Sequence, residues 1–332
     1  MKFIEKLSMS AVAIMATLAV SVSGALAADK VTLRTDWTVV GYHAPFYLGL
    51  DKGFYSDEGL DLQIEEGKGS ATGISLVANG RDTFTFADAA TSAKMTAEGS
   101  PTEVVMGIIQ RSLLSVVSPK DRNIKTPKDL IGKVVASCGS TGGSVLFPAF
   151  LDATGLNKSE VTLVNTDCSA YFPLVVQGRA DATISYYPAA MGIFGRLGVH
   201  DLNSLSFWDA GVKLPAHGIV ASKETADTKK DLVTRFVAAT AKSWTYARAN
   251  PDEAVESLMK HFPLLAGKAE SLKSELVLTM QFVPPAGTYD KPFGWQSPKD
   301  WDEAIHALTT YMGMKPGTPP SSLYTNEFIK EN

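Results

Sequence analysis

From Lys30 to about Ser222, short runs rich in β-branched and aromatic residues alternate with longer runs of helical spacing. Few architectures accept that rhythm. KVTLRTD (30–36) has the character of a strand, and HAPFYLGLDKGF (43–54) that of a helix closed by Gly53. LDLQIEEG (60–67) is strand-like and ATGISLVANG (71–80) helical, while DTFTFAD (82–88) is a strand leading to a helix at AATSAKMTAEG (89–99), capped by Asp88. Such alternation predicts the α/β class, with a mainly parallel sheet covered by helices. After TEVVMGII and SLLSVVSP the pattern starts again with KVVASC (133–138) and GGSVLFPAFLDATG (142–155). It continues through EVTLVNTD (160–167), SAYFPLVVQG (169–178), ADATISY (180–186) and PAAMGIFGRLG (188–198). LVANGR (76–81) and LVVQGR (174–179) stand at the same place in the two series, each ending a helix with Gly-Arg. The chain therefore reads as two similar α/β lobes, and 332 residues suffice for two cores.

Beyond HGIVASKE (217–224) helical spacing dominates, with few strands between the helices. A Pro/Gly-rich loop, PPAGTYDKPFGWQ (284–296), carries Tyr289, Phe293 and Trp295. This C-terminal stretch is expected to pack back on the first lobe.

The first 27 residues have basic Lys2 and Lys6, an apolar run, and small residues ending in Ala25-Leu26-Ala27. That plan predicts a secretory signal peptide cleaved after Ala27, leaving a periplasmic chain of 305 residues with net charge −5. No cysteine near the cut offers a lipid anchor, and no later segment approaches the ~20 apolar residues of a membrane span. The acidic balance argues against nucleic acid, whose phosphates call for a basic face. Cys138 and Cys168, thirty residues apart, could form one disulfide or stay as buried thiols. No histidine pair has HExxH spacing, and no nucleophile elbow or Walker loop occurs. GKGSATG departs from a dinucleotide fingerprint because its third glycine, Gly73, comes one residue late. Neither a cofactor, a metal nor an enzymatic activity is expected.

In open parallel sheets ligands bind beyond the carboxyl ends of strands, where helix N-termini offer free N–H groups. The joints of this chain hold Trp37, Tyr42 and His43, then Ser70 and Thr72, Asp88, Ser140 and Thr141, Asp167 and Tyr171, and Tyr186 and Tyr187. Trp37, Tyr186 and Tyr187 would supply ring faces to a planar solute, as aromatic side chains do with few rotors to freeze. His43, Asp88, Thr141 and Asp167 would supply hydrogen bonds, and Ser70 and Thr72 a helix-terminus anion site. Gln110 and Trp295 complete the expected ligand set. Phe46 and Tyr47 lie inside a helix and suit a core. Ser70, Asp88 and Ser140 also suit helix caps.

HAPFYLGLDKGFYSDEGLDLQI, LVANGRDTFTFAD, TPKDLIGKVVAS and LVVQGRADATISYY resemble the solute-binding proteins of bacterial ABC importers. The likeness is to the branch serving nitrate, taurine, alkanesulfonates and thiamine-pyrimidine precursors, and covers about residues 30 to 225. It implies a two-lobed periplasmic binding protein of type II, each lobe a parallel-rich sheet flanked by helices. Two crossover strands near Ser115–Pro119 and Gly218–Ser222 would join the lobes. Lobe 1 would be residues 28–117 with 219–332, and lobe 2 residues 118–218. A monomer would close on a small organic solute and present it to an ABC permease in the inner membrane.

DW followed by YHAPFYL looks most like the thiamine-pyrimidine precursor binders and their pyrimidine-synthase relatives. The resemblance assigns ring contacts to Trp37 and His43, with Tyr186 and Tyr187 from the other lobe. Two departures stand out. YYPAAMG has no acidic residue after the paired tyrosines, and SCGSTGGS has a single cysteine where the synthases carry a cysteine-rich iron motif. The expected function is therefore binding of a small planar aromatic or N-heterocyclic solute. The alternatives are an alkane- or arylsulfonate (taurine-type) receptor with the anion on the helix termini at Ser70 and Ser140, a pyrimidine-metabolism enzyme on the same fold, and a sensor module.

Overall fold

The computed structural model describes residues 28–139, 141–285 and 287–330. The leader expected at 1–27 lies outside the described residues. Strands β1 (Asp29–Arg34), β2 (Leu60–Glu65) and β3 (Phe84–Asp88) are separated by helices α1 (Ala44–Asp51), α2 (Phe54–Asp57) and α3 (Ser70–Ala78). Helix α4 (Ala89–Ala97) leads to β4 (Thr102–Gly107), and the chain then enters β5 (Leu114–Pro119). The second series is β6 (Val134–Cys138), α5 (Gly142–Ala153), β7 (Thr162–Thr166), α6 (Tyr171–Val176), β8 (Ala182–Tyr186) and α7 (Tyr187–Arg196). It ends with β9 (Leu202–Ser206) and β10 (His217–Ser222). Five helices follow: α8 (Lys223–Thr228), α9 (Lys230–Ala249), α10 (Pro251–His261), α11 (Ala269–Met280) and α12 (Pro298–Met312).

Two five-stranded sheets result, ordered β2-β1-β3-β10-β4 and β7-β6-β8-β5-β9. In each, the strand next to the end runs antiparallel to its neighbours and the rest run one way. That odd strand is the one that arrives from the other sheet. The α/β reading and the two-lobed expectation stand. The segments that the resemblance gave as crossovers, near Ser115–Pro119 and Gly218–Ser222, are these two odd strands, β5 and β10. Val116 and Val117 of β5 pair with Ile184 and Thr183 of β8, and β10 pairs along its length in the first sheet. Both strands are full sheet members, so the chain changes sheets just ahead of each.

The repeated sequence has a structural cause. Gly80 and Gly178 both take left-handed φ, +67° and +73°. The amides of Arg81 and Arg179 then reach back to the carbonyls of Leu76 and Leu174, each at 2.9 Å. That is the glycine-terminated helix end in which an αL residue lets orphan carbonyls find donors. A Cβ at Gly80 would meet nothing within 4 Å, so Gly80→Ala tests backbone conformation alone. We expect a loss of about 1–2 kcal/mol in urea unfolding, and less for Gly80→Asn.

The C-terminal helices do pack on the first sheet's side. The Trp244 ring on α9 meets Phe46 on α1 at 5.5 Å, and Tyr55 Oη lies 3.3 Å from Thr240 Oγ1. Helices α11 and α12 also touch α7 and α5 of the second series, so this stretch serves both halves.

Candidate functional site

Strand β1 runs out at Arg34, and the next residues turn at the edge where β3 and β8 also end. Asp36 sits there, 6% exposed, and gathers three side chains. His43 Nδ1 accepts from the Val40 amide at 3.2 Å, which puts the ring proton on Nε2, 2.7 Å from Asp36 Oδ1. Tyr42 donates its hydroxyl to Oδ2 at 3.1 Å, and His217 Nε2 lies 2.9 Å from the same oxygen. Burial alone would raise the Asp36 pKa, but the His217 and His43 imidazoles outweigh it and hold the carboxyl well below the usual carboxylate range. A carboxylate has about four lone-pair sites. Three are taken by these side chains, and Asp36 also lines the space between the sheets.

Asp88 ends β3 and is fully buried. Its Oδ1 caps α4 by accepting from the Thr91 amide at 2.6 Å, and its Oδ2 accepts from the Tyr186 hydroxyl at 2.6 Å. Burial pushes its pKa up against the pull of His217, Tyr186 and Thr91. Tyr186 comes from the end of β8, so this bond spans the two sheets. The correspondence between them is exact in register: His217 opposes Asp88 across β10 and β3, and Leu114 opposes Tyr186 across β5 and β8.

The space so framed is a small cavity of about 30 Å³ in this closed form, room for ordered water, so a ring must enter as the two sheets part. Asp36, Trp37, Tyr42 and Ser70 line one side, and Thr141, Tyr171, Ser185 and Tyr186 the other. Trp37 reaches over to meet Tyr171 edge to face at 5.5 Å, and the Tyr186 ring lies 4.3 Å from His217. The N-termini of α3 and α5 both open onto it, at Gly69-Ser70 and Thr141-Gly142. Among the described residues lining it, none is Lys or Arg.

The expected ligand set divides. Trp37, Tyr42, Ser70, Thr141, Tyr171 and Tyr186 converge on the space, with Asp88 behind Tyr186. His43 does not reach it. The ring is fully buried and serves Asp36, because the turn folds it under its own loop. Thr72 lies a half-turn past the helix start, and Tyr187 is half-buried against the second core. Asp167 is exposed and accepts from the amide and hydroxyl of Ser169, a local turn. Gln110 donates to the Trp295 carbonyl at 2.6 Å and lines a smaller cavity shared with His217, Gln296 and Asp300. Ser140 lies outside the described residues. The two cysteines are joined as a disulfide, Cα atoms 4.9 Å apart.

Sequence reasoning missed Asp36, His217 and Ser185. Asp36 had a signal, an acidic residue directly before Trp37 at a strand end. His217 stands 181 residues away, and nothing local ties it to Asp36.

A family described as NMT1/THI5 like matches residues 40–254. A putative thiamine biosynthesis protein of Haemophilus influenzae is 28% identical over 71% of this chain and 75% of its own length. The formylaminopyrimidine-binding protein of Halalkalibacterium halodurans is 25% identical, with 86% of each chain covered. A 4-amino-5-hydroxymethyl-2-methylpyrimidine phosphate synthase of Schizosaccharomyces pombe is 22% identical, over 48% of this chain and 45% of that one. The periplasmic aliphatic sulphonate binding protein of Escherichia coli superimposes with a TM-score of 0.66, at 12% identity, over 90% of this chain and 99% of that one. Among the described residues no helix is long and apolar enough to cross a membrane. With a two-sheet periplasmic-binding-protein fold, and a family match over most of its length, this chain belongs to the NMT1/THI5-like family.

Proposed function

We propose that the protein is the periplasmic solute-binding component of an ABC importer, and that it takes a small planar N-heterocycle bearing hydrogen-bond donors. The observation that carries this is Asp36, an ionised carboxylate lining the space among the rings of Trp37, Tyr171 and Tyr186. An amino group on a flat ring satisfies both features at once. It would donate to Asp36 while its faces pack on the aromatics. Ser185 and Thr141 would complete its edge.

The reading includes the finer expectations. Each sheet with its helices acts as a lobe, residues 28–117 with 219–332 forming the first and residues 118–218 the second. Residues 1–27 are removed on export, and the monomer hands its solute to a permease. The Cys138–Cys168 disulfide suits an oxidising compartment.

A sulfonate receptor is the second reading, because two helix N-termini open onto the cleft. Asp36 opposes it by repelling an anion. Thermal shift separates the two. 4-Amino-5-hydroxymethyl-2-methylpyrimidine at a hundred times its dissociation constant should stabilise the protein by ~2.7 kcal/mol, and Trp37→Ala should abolish the shift. Taurine or butanesulfonate raising the melting temperature further than the pyrimidine would overturn the heterocycle reading. Release of an altered pyrimidine during the same incubation would favour an enzyme.

A further inference from the structure

The two halves also meet away from the cleft, and one of these meeting points is a buried carboxylate. Glu275 on α11 is fully buried and holds a partner with each oxygen. Its Oε2 accepts from the Gly41 amide at 2.6 Å, in the turn that carries Tyr42. Its Oε1 accepts from an Arg196 guanidinium nitrogen at 2.6 Å, at the last turn of α7, with the Ser271 hydroxyl at 3.4 Å. Two glycines make room for this. A Cβ on Gly41 would fall 2.8 Å from Glu275 Cβ, and one on Gly192 of α7 would overlap the Glu275 carboxylate itself. Helix α11 is thus wedged between the aromatic turn after β1 and the helix that begins at the Tyr186-Tyr187 pair.

We propose that Glu275 and Arg196 form an interlobe latch, a buried ion pair made when the cleft is shut and broken when it opens. The proposal rests on the reading that the solute is held between the lobes. One carboxylate joins the turn that presents Tyr42 to Asp36 with the helix whose first residue follows Tyr186. Closure at the latch and ordering of the cleft are therefore the same movement. An ion pair this enclosed is strong only while both partners are in place, because either charge left alone in a buried position is disfavoured. The latch raises the share of closed protein, and apparent affinity follows that share.

The test uses nitroxide labels at Leu264→Cys and Ile131→Cys, exposed sites on the two halves, read by electron spin resonance in ligand-free protein. Arg196→Gln and Gly192→Val should each change and broaden the distance distribution relative to the parent. Both should speed dissociation of 4-amino-5-hydroxymethyl-2-methylpyrimidine at least tenfold. Arg196→Gln combined with Glu275→Gln should recover part of the loss, since no charge is left unpaired. Gly192→Val keeps every polar group and acts by wedging alone, so it reads the latch even if a polar variant folds poorly. Distances and dissociation rates unchanged within twofold in both single variants would overturn the latch. If distances move as stated but the pyrimidine binds to none of the proteins, the latch stands and the heterocycle reading fails.

Discussion

Asp36→Ala is expected to lower stability by about 3–5 kcal/mol, the scale of leaving several buried donors without an acceptor at about 1–3 kcal/mol each, and to abolish heterocycle binding. Three donors lose their acceptor together: Tyr42 Oη, His43 Nε2 and His217 Nε2. The two histidines are at most 1% exposed, so water does not replace the carboxylate. The loss is also topological. Tyr42 and His43 follow the first strand, whereas His217 opens the strand returning from the second sheet. Asp36→Asn keeps one oxygen and should cost less than alanine.

The pH dependence has a definite sign. Folding lowers the Asp36 pKa, so its contribution is complete above its unfolded value of about 3.9 and is lost as pH falls toward the folded value. Urea unfolding at several pH values should show the gap between parent and Asp36→Ala at full size at pH 7 and shrinking below about pH 4. A gap under about 1 kcal/mol at pH 7, the net worth of one ordinary hydrogen bond, would mean that the three donors find other partners.

Much of the fold was legible because it is written at short range. Strand and helix periods, and the Gly-Arg helix ends at Gly80 and Gly178, depend on neighbours within six residues. The ring cluster was legible in part for the same reason, as Trp37 and Tyr42 follow a strand that must end at the sheet's edge. His43 shows the limit. A histidine among aromatics at a joint has the composition of a ligand contact, and only the loop's path buries it against Asp36. Asp167 shows another. Its partner is two residues away, so a local turn satisfies the carboxylate that composition alone offered to a ligand. Asp36, His217, Glu275 and Arg196 form pairs across 181 and 79 residues. No periodicity reports such partners. They appear once two sheets fix where their strand ends lie.

The Cys138–Cys168 disulfide yields the second large effect. Cys138 ends β6 and is 4% exposed, while Cys168 precedes α6, thirty residues later. Closing a loop of that length removes denatured-state freedom worth about 3–4 kcal/mol in the chain-entropy account. Unfolding in urea with reductant present should therefore show a loss of about 3–4 kcal/mol, absent from a Cys138→Ala/Cys168→Ala double variant, which should start from the reduced value. The bond also bears on the cleft. Tyr171 stands three residues beyond Cys168 and meets Trp37 edge to face, so the bonded end of β6 anchors the turn that brings this ring across. Reduced protein should then release 4-amino-5-hydroxymethyl-2-methylpyrimidine faster than oxidised protein, with Trp37 fluorescence reporting the looser contact. Equal release rates would confine the disulfide to stability. Equal stabilities as well would mean that β6 and β7, paired from Val134↔Thr162 to Cys138↔Thr166, already hold the two sulfurs' neighbours together in the unfolded chain.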